Sequence, residues 1–202
     1  MQQAINTTWD SRQQSSSLES TRHGSIAVWV LIFAELTEFA FFFIAFIVVR
    51  NFYPEEFAAG PAQLNTTAGL SNALILISSS FFVAMSLVAL RRRKIRQSQY
   101  WLIAAIGAGL LYCGVKYWEY QWNAAQELSV QSNYFFTLYY YLTFNHLLHV
   151  LVGIVVLSTG LLTLRLGWAK PASHEGLEGC INYWHMVDLA WIILFPLLYL
   201  LN

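Results

Sequence analysis

Charged residues are scarce in this chain, and their scarcity limits the class of protein. Lys and Arg number 11 and Asp and Glu number 11, so that 11% of the 202 residues are charged whereas 57% are hydrophobic. A soluble domain carries roughly twice that share of charge. The formal net charge is zero, which excludes the basic excess typical of nucleic-acid binding. The composition therefore indicates an integral membrane protein.

Cysteine and an amino-terminal apolar stretch are also lacking. The two cysteines, Cys113 and Cys180, are too few for a disulfide framework and lie in no CxxCH or CxxC motif. Residues 1–24 are rich in Ser, Gln and Thr and have no apolar core of the kind that a signal peptide requires. We expect a polar, flexible cytoplasmic tail at 1–24, followed by a single transmembrane domain at 25–202.

Long apolar segments are abundant, and they predict the fold class. A helix needs about 20 apolar residues to cross the roughly 30 Å of hydrocarbon in a bilayer. Five segments meet that length, and no repeat divides them, so the sequence predicts an all-α bundle of five transmembrane helices. The predicted segments lie near 26–49, 69–90, 100–122, 134–164 and 182–201.

Lysine and arginine are distributed unequally between the connections. The run RRRKIR at 91–96 carries most of them, and further basic residues lie in the amino-terminal tail and in the polar connection 165–181. Cytoplasmic loops carry the excess of Lys and Arg. The distribution therefore predicts a cytoplasmic amino terminus and an exterior carboxyl terminus.

Two pairs of charged residues interrupt the first and third segments. Glu35 and Glu38 lie three positions apart and would repel each other if both were ionised, so at least one is predicted to be protonated at neutral pH. Lys116 and Glu119 have the same spacing near the far end of the third segment. We interpret the second pair as a structural ion pair with a snorkelling lysine.

Histidines and an aspartate lie in the last two segments at the same spacing. His146 and His149 share one predicted helix face, and His185 and Asp188 share another. Ionisable groups at membrane depth usually face the interior of the bundle and often mark function. Spacing alone leaves a proton relay, a metal site and a structural hydrogen-bond network open.

Taken together, several motifs resemble subunit III of the haem–copper oxidase (cytochrome c oxidase) superfamily. They run in order along the chain: AELTEF with Glu35, KYWEY with Glu119, FFTLYYYLTFNHLLHVLVG, Glu178 before the fifth segment, and YWHMVDLAW. The last is similar to the family pattern YWHFVD-W and is the most specific. The chain departs from the family at Glu38, where an apolar residue is usual, and at Asn145, where Gly is common.

Within that family the chain is most similar to the short five-helix branch associated with nitric oxide reductase (NorE type). The Met in WHMVDL, the FPLLYLL ending and the region from Leu64 and Asn65 to Asn72 indicate this branch. The family's classical form has seven helices, and this chain lacks room for the first two. The resemblance implies a location in the bacterial inner membrane.

The resemblance also implies an accessory subunit without a redox centre of its own. Haem and metal would belong to a catalytic partner chain, and structural phospholipid is the ligand that the resemblance allows. Glu35 matches the family's carbodiimide-reactive glutamate. No catalytic residue and no metal ligand is predicted in this chain, and we expect the His185–Asp188 face to meet Glu35 and the histidines of the fourth helix. The residues predicted to form or border the interior polar face are Glu35, Glu38, His146, His149, Glu178, His185 and Asp188.

Three functions follow as alternatives. The first is an accessory subunit associated with nitric oxide reductase, supporting assembly, stability and proton uptake. The second is subunit III of a terminal cytochrome or quinol oxidase. The third class contains a membrane enzyme or a proton-coupled transporter. The enzyme would have a metal centre built from His146, His149, His185, Asp188 and Glu35, and the transporter would carry protons on Glu35 and Glu38.

Overall fold

The fold is an all-helical bundle with five helices long and apolar enough to cross a membrane. A computed structural model describes residues 29–167 and 175–201, so the predicted tail at 1–24 lies outside the described residues. The predicted five-helix architecture is confirmed. The helices are α1 Trp29–Phe52, α2 Pro54–Ala59, α3 Thr66–Arg91, α4 Ile95–Ala125, α5 Tyr134–Arg165 and α6 Glu175–Tyr199, with a 3-10 turn at Pro61–Gln63.

The helices extend beyond the apolar segments from which they were predicted. Helix α6 begins at Glu175, seven residues before the predicted 182, so the predicted polar connection 165–181 is wrong over its second part. Helix α4 begins at Ile95, inside the basic run. Hydropathy locates the hydrocarbon-facing part of a helix and not its ends, because charged and polar side chains at the ends reach the interface.

The connection between the first two predicted segments, residues 50–68, is itself partly helical. Phe57 of α2 is buried between Phe46 of α1 and Phe135 of α5, with ring centroids 5.0 and 5.6 Å away. Glu56 accepts a hydrogen bond from the backbone N–H of Tyr134 at 2.7 Å. Helix α2 therefore fastens the end of α1 to the start of α5.

The centre of the bundle is formed by α3, α4, α5 and α6. Helix α3 packs on α4 and α6, and α5 packs on the same two helices from the other side. Ser79 of α3 donates to the carbonyl of Ala105 at 3.1 Å, and Ser86 of α3 lies 2.8 Å from Ser98 of α4, oxygen to oxygen. Helix α1 packs on the outside of α5, where Phe39 contacts the ring of His149. Helices α5 and α6, which carry the predicted histidines, therefore pack on each other, and α6 also packs on α3 whereas α5 also packs on α4.

Candidate functional site

A buried cluster of charged and phenolic groups joins α4, α5 and α6. Lys116 Nζ lies 3.0 Å from Glu119 Oε2 and donates to the hydroxyl of Tyr199 at 3.0 Å and of Tyr139 at 3.3 Å. Both tyrosine hydroxyls donate to Glu119 Oε1, at 2.8 Å from Tyr139 and 2.5 Å from Tyr199. All four side chains are buried. Each charge is thus compensated by an opposite charge and by hydrogen bonds, as burial requires.

The surroundings of Lys116 are aromatic. Its ammonium lies 5.1 Å from the centre of the Trp191 ring and 5.0 Å from that of Tyr139, within the range of cation–π attraction. The expected snorkelling is wrong, because the side chain has no exposed surface. Sequence reasoning missed Tyr139 and Tyr199, which lie 20 and 80 residues from Glu119. The available signal was their place near the ends of segments that reach the same side of the membrane.

A second polar group joins α1 to α5. Glu35 Oε2 lies 2.5 Å from His149 Nε2, and the other ring nitrogen of His149 contacts the backbone carbonyl of Asn145 at 2.8 Å. The side chains of His149 and Glu35 are 12% and 18% exposed, so the pair lies at the edge of the bundle and not at its centre. The structure thus brings together two of the predicted residues.

Glu38 joins the same group through Asn145 of α5. Its Oε1 accepts a hydrogen bond from Asn145 Nδ2 at 3.0 Å. Ligand atoms of Glu35, Glu38 and His149 all lie within 4.8 Å of one another, and this is the group of three potential metal ligands among the described residues.

His146 lies apart from His149, although the two are three residues apart. Its ring packs between Tyr112 and Trp191, with centroids 5.7 and 5.1 Å away, and is completely buried. Neither ring nitrogen has a hydrogen-bond partner in the described part of the chain. His146 is therefore part of the aromatic interior of the bundle and not of the Glu35 group.

His185 does not contact the groups that the sequence predicted for it. His185 Nδ1 lies 2.5 Å from Ser80 Oγ of α3, not beside Glu35 or the histidines of α5. Asp188 is 4% exposed, and among residues 29–167 and 175–201 its carboxylate oxygens have no hydrogen-bond partner. The expectation is wrong for His185, because α6 turns this side chain toward α3, whereas Glu35 of α1 contacts His149 of α5.

Glu178 lies near the basic end of the bundle, the end that carries the connection 92–94. It pairs with Arg91 at 2.9 Å, and both side chains are partly exposed, at 37% and 62%. Exposed ion pairs of this kind contribute about 0–1 kcal/mol. Glu178 therefore links the ends of α6 and α3 and does not line the interior.

The geometry separates three kinds of site. The Lys116 cluster is a closed network whose charged groups are satisfied internally, which suits a packing role. The Ser80–His185 contact ties α3 to α6. The Glu35–Glu38–His149 group carries two carboxylates and an imidazole on a partly exposed edge, so it is the group that could exchange a proton or hold a cation.

Comparison with known proteins identifies the family. A model of the family described as cytochrome c oxidase subunit III matches residues 19–202. Cytochrome c oxidase subunit 3 of Thermostichus vulcanus is 32% identical over 180 residues, which are 88% of this chain and 87% of that protein. The protein of the same name from Synechocystis sp. is 32% identical over 175 residues, 86% of this chain and 74% of the relative.

A longer relative contains the similar sequence as one part. The protein named heme-copper oxidase subunit I+III, from Aeropyrum pernix, is 28% identical over 182 residues, which are 86% of this chain and 22% of that protein. The match of the family model and the coverage of the subunit 3 proteins extend over nearly all of the described helices. This chain belongs to the cytochrome c oxidase subunit III family.

Proposed function

We propose that this chain is a non-catalytic accessory subunit of a haem–copper respiratory complex and binds beside a haem-containing catalytic chain in the membrane. The observation that carries the proposal is the family match over residues 19–202. The Aeropyrum relative supports the choice of partner, because its name joins subunits I and III in one polypeptide. Haem and redox metal would be held by the partner.

The role of the chain in that complex would be assembly and durability. The Lys116 cluster ties three helices together, and hydrogen bonds between helices substitute in lipid for the missing hydrophobic drive. The Glu35–His149 contact holds an ionisable pair within the membrane, which supports a contribution to proton uptake. Structural phospholipid at the helix surface would complete the subunit.

The finer proposal is that the partner is a nitric oxide reductase. It is supported by Met186 in YWHMVDLAW and by the FPLLYLL ending. The alternative is a terminal cytochrome or quinol oxidase, which the names of the relatives favour. Both alternatives share the accessory role and differ in the substrate that the partner reduces.

Co-purification from native membranes tests both levels of the proposal. A tagged chain, extracted in mild detergent, is expected to bring down a second membrane chain with the absorption spectrum of haem. Consumption of nitric oxide and of oxygen by the eluate, measured with electrodes, then identifies the partner. A tagged chain that recovers no haem-containing subunit contradicts the accessory role, and oxygen consumption without nitric oxide consumption selects the oxidase.

The proposed orientation predicts which connections a membrane-impermeant thiol reagent reaches. In a variant with Cys113 and Cys180 replaced by alanine, a cysteine at exposed Gln131 is expected to be labelled in cells whose inner membrane is intact. A cysteine at exposed Arg92, between α3 and α4, is expected to react only after that membrane is permeabilised. Gel shift of the labelled chain measures both. The reverse pattern would show the opposite orientation.

A further inference from the structure

The turn between α3 and α4 carries a dense group of positive charges. Five basic side chains lie within six positions, and all five are exposed: Arg91, Arg92, Arg93, Lys94 and Arg96. Arg91 pairs with Glu178. Within the part of the chain that the structure describes, the other four side chains form no ion pair and no hydrogen bond. This end of the bundle therefore presents positive charge that the described side chains do not balance.

The lengths of α3 and α4 place this turn in the headgroup layer of a bilayer. The helices have 26 and 31 residues, so at 1.5 Å per residue they are about 39 and 46 Å long. The hydrocarbon core is about 30 Å thick, and the headgroup regions extend a bilayer to about 40–45 Å. Because charged side chains are costly within hydrocarbon, the basic turn lies outside that core. It therefore lies at the depth of the lipid phosphates.

Apolar and amphipathic side chains lie beside the charged ones. Ile95, within the basic run, is 49% exposed, and Val88, in the last turn of α3, is 39% exposed. Tyr100 is 72% exposed, as is typical of a tyrosine at the membrane interface. A surface that combines basic groups with exposed apolar residues matches a phospholipid, whose phosphate is anionic and whose chains are apolar. A soluble anion would match only the charges.

Local helix structure does not account for basic residues at three of these positions. Arg93 has a left-handed backbone conformation, with φ 59°, which glycine adopts more readily. Lys94 is the N-cap of α4 and forms no side-chain capping bond, at a position where Ser, Thr, Asp and Asn are preferred. Arg96 lies in the first turn of α4, where the helix dipole favours acidic residues. An anion beside the turn would offset this unfavourable charge.

Membrane orientation does not account for these positions either. The preference for Lys and Arg in cytoplasmic loops is met by basic residues anywhere within about 15–20 residues of a span. Gln97 and Gln99 follow directly on α4 and are neutral. The positive charge is therefore concentrated at the turn itself, where a single headgroup can contact several basic side chains.

We propose that this basic turn binds the phosphate headgroup of an anionic phospholipid through Arg92, Lys94 and Arg96. Each Lys or Arg near an anionic membrane surface strengthens the attraction about fivefold, so three acting together contribute about 100-fold. The lipid chains would lie along the outer face of α3 and α4, where Phe81 is 56% exposed and packs against Trp101. The proposal deepens the accessory role, on which it rests, by naming the charge and the place of a structural phospholipid.

The test is native mass spectrometry of the full chain, delipidated in detergent and titrated with phosphatidylglycerol or with phosphatidylcholine of the same acyl chains. The wild type is expected to bind phosphatidylglycerol at least about tenfold more tightly, because it alone carries a net charge. The combined variant Arg92→Gln, Lys94→Gln and Arg96→Gln is expected to lose that preference and to bind phosphatidylcholine like the wild type. It retains Arg91 and hence the ion pair with Glu178.

Two controls separate the charge of the turn from its shape and from charge elsewhere. The variant Arg92→Lys, Lys94→Arg and Arg96→Lys keeps every charge and is expected to bind phosphatidylglycerol like the wild type. Arg165→Gln removes an exposed basic residue from the end of α5, on the same side of the bundle. It is also expected to bind like the wild type. Thermal unfolding of each variant establishes that it is folded.

Three outcomes of the titration would overturn the proposal. Equal affinity of the wild type for the two lipids would show that the headgroup charge does not select the lipid. Equal affinity of the wild type and the glutamine variant for phosphatidylglycerol would place the headgroup elsewhere. Displacement of bound phosphatidylglycerol by inorganic phosphate would make the turn a site for a free anion.

Co-purification from native membranes separates this proposal from the accessory role. The glutamine variant is expected to recover the haem-containing subunit as the wild type does, because the turn contacts lipid and not the partner chain. Loss of that subunit in the glutamine variant alone would make the turn a docking surface for the partner and overturn the lipid assignment. A wild-type chain that recovers no haem-containing subunit, but still prefers phosphatidylglycerol, contradicts only the accessory role.

Discussion

Lys116→Met is expected to lower the free energy of unfolding of this chain by about 3–5 kcal/mol, the cost of removing one partner from a buried ion pair. The change leaves Glu119 with its two tyrosine donors but without a positive charge, in a site with no exposed surface. It also removes the cation that lies over the Trp191 ring. The loss is larger than that of any exposed ion pair, because neither water nor salt compensates a charge at this depth.

A double variant separates loss of the pair from loss of packing volume. Lys116→Met combined with Glu119→Leu removes both charges, and replacing a whole buried pair by apolar residues is often nearly neutral. The hydroxyls of Tyr139 and Tyr199 lie 3.4 Å apart and would retain each other as partners. We therefore expect the double variant to recover most of the stability that Lys116→Met loses.

Unfolding in mixed micelles, driven by a denaturing detergent and followed by tryptophan fluorescence, measures these differences. Tyr117→Phe is the matched control, because Tyr117 lies on the same helix and is 66% exposed. The control is expected to unfold like the wild type. Equal stability of Lys116→Met and the control would contradict the conclusion that this cluster stabilises the packing of α4, α5 and α6.

The sequence predicted the ion pair of Lys116 and Glu119 but not the two tyrosines that bind to it. Lys116 and Glu119 are neighbours on one helix, so their contact follows from helix geometry alone. Tyr139 lies on α5 and Tyr199 on α6, so their contacts with Glu119 depend on how these two helices pack against α4. Apolar segments identify the transmembrane helices but carry little information on how these helices pack against one another, because in lipid the outer face of each helix is as apolar as the inner one.

The histidines show a second limit of reasoning from spacing. Residues three apart on a helix differ by about 60° around its axis, since each residue adds about 100°. That difference is small on a free helix, but in this bundle it directs His149 at Glu35 of α1 and His146 at Tyr112 of α4. A shared face was therefore a correct description of the helix and a poor prediction of partners.

Consecutive serines of α3 illustrate the same limit at finer scale. Ser78 donates to its own helix at the carbonyl of Leu74, Ser79 donates to α4, and Ser80 contacts His185 of α6. Each step of about 100° reaches a different neighbour. The contact between Ser80 and His185 depends on the packing of α3 against α6. The sequence around either residue does not predict that packing.

The other large loss of stability is expected at two glycines that pack against the ring of Trp184. Gly109 of α4 and Gly153 of α5 both lie against the buried ring of Trp184, and a Cβ added to either would lie 2.8 Å from a ring carbon. Contacts that short require the ring or a helix to move. Because the ring contacts glycines of two helices, the space available for such a movement is limited on both α4 and α5.

Gly109→Ala is therefore expected to lower the free energy of unfolding by about 1–3 kcal/mol, the usual cost of overpacking a core. Gly107→Ala and Gly114→Ala, on the same helix, add a Cβ that meets nothing within 4 Å. These two changes are expected to leave stability unchanged or to raise it by up to about 1 kcal/mol, because alanine loses less backbone entropy in a helix than glycine does.

The sign of the effect is what distinguishes close packing from helix propensity. Helix propensity alone predicts that all three substitutions change the free energy of unfolding in the same direction. Close packing against Trp184 predicts that Gly109→Ala changes it in the opposite direction from Gly107→Ala and Gly114→Ala. The same micelle unfolding measures each variant, and Gly153→Ala provides an independent measurement from the other side of the ring. Three equal shifts among the α4 variants would show that close packing of Gly109 against Trp184 does not determine the stability of the bundle.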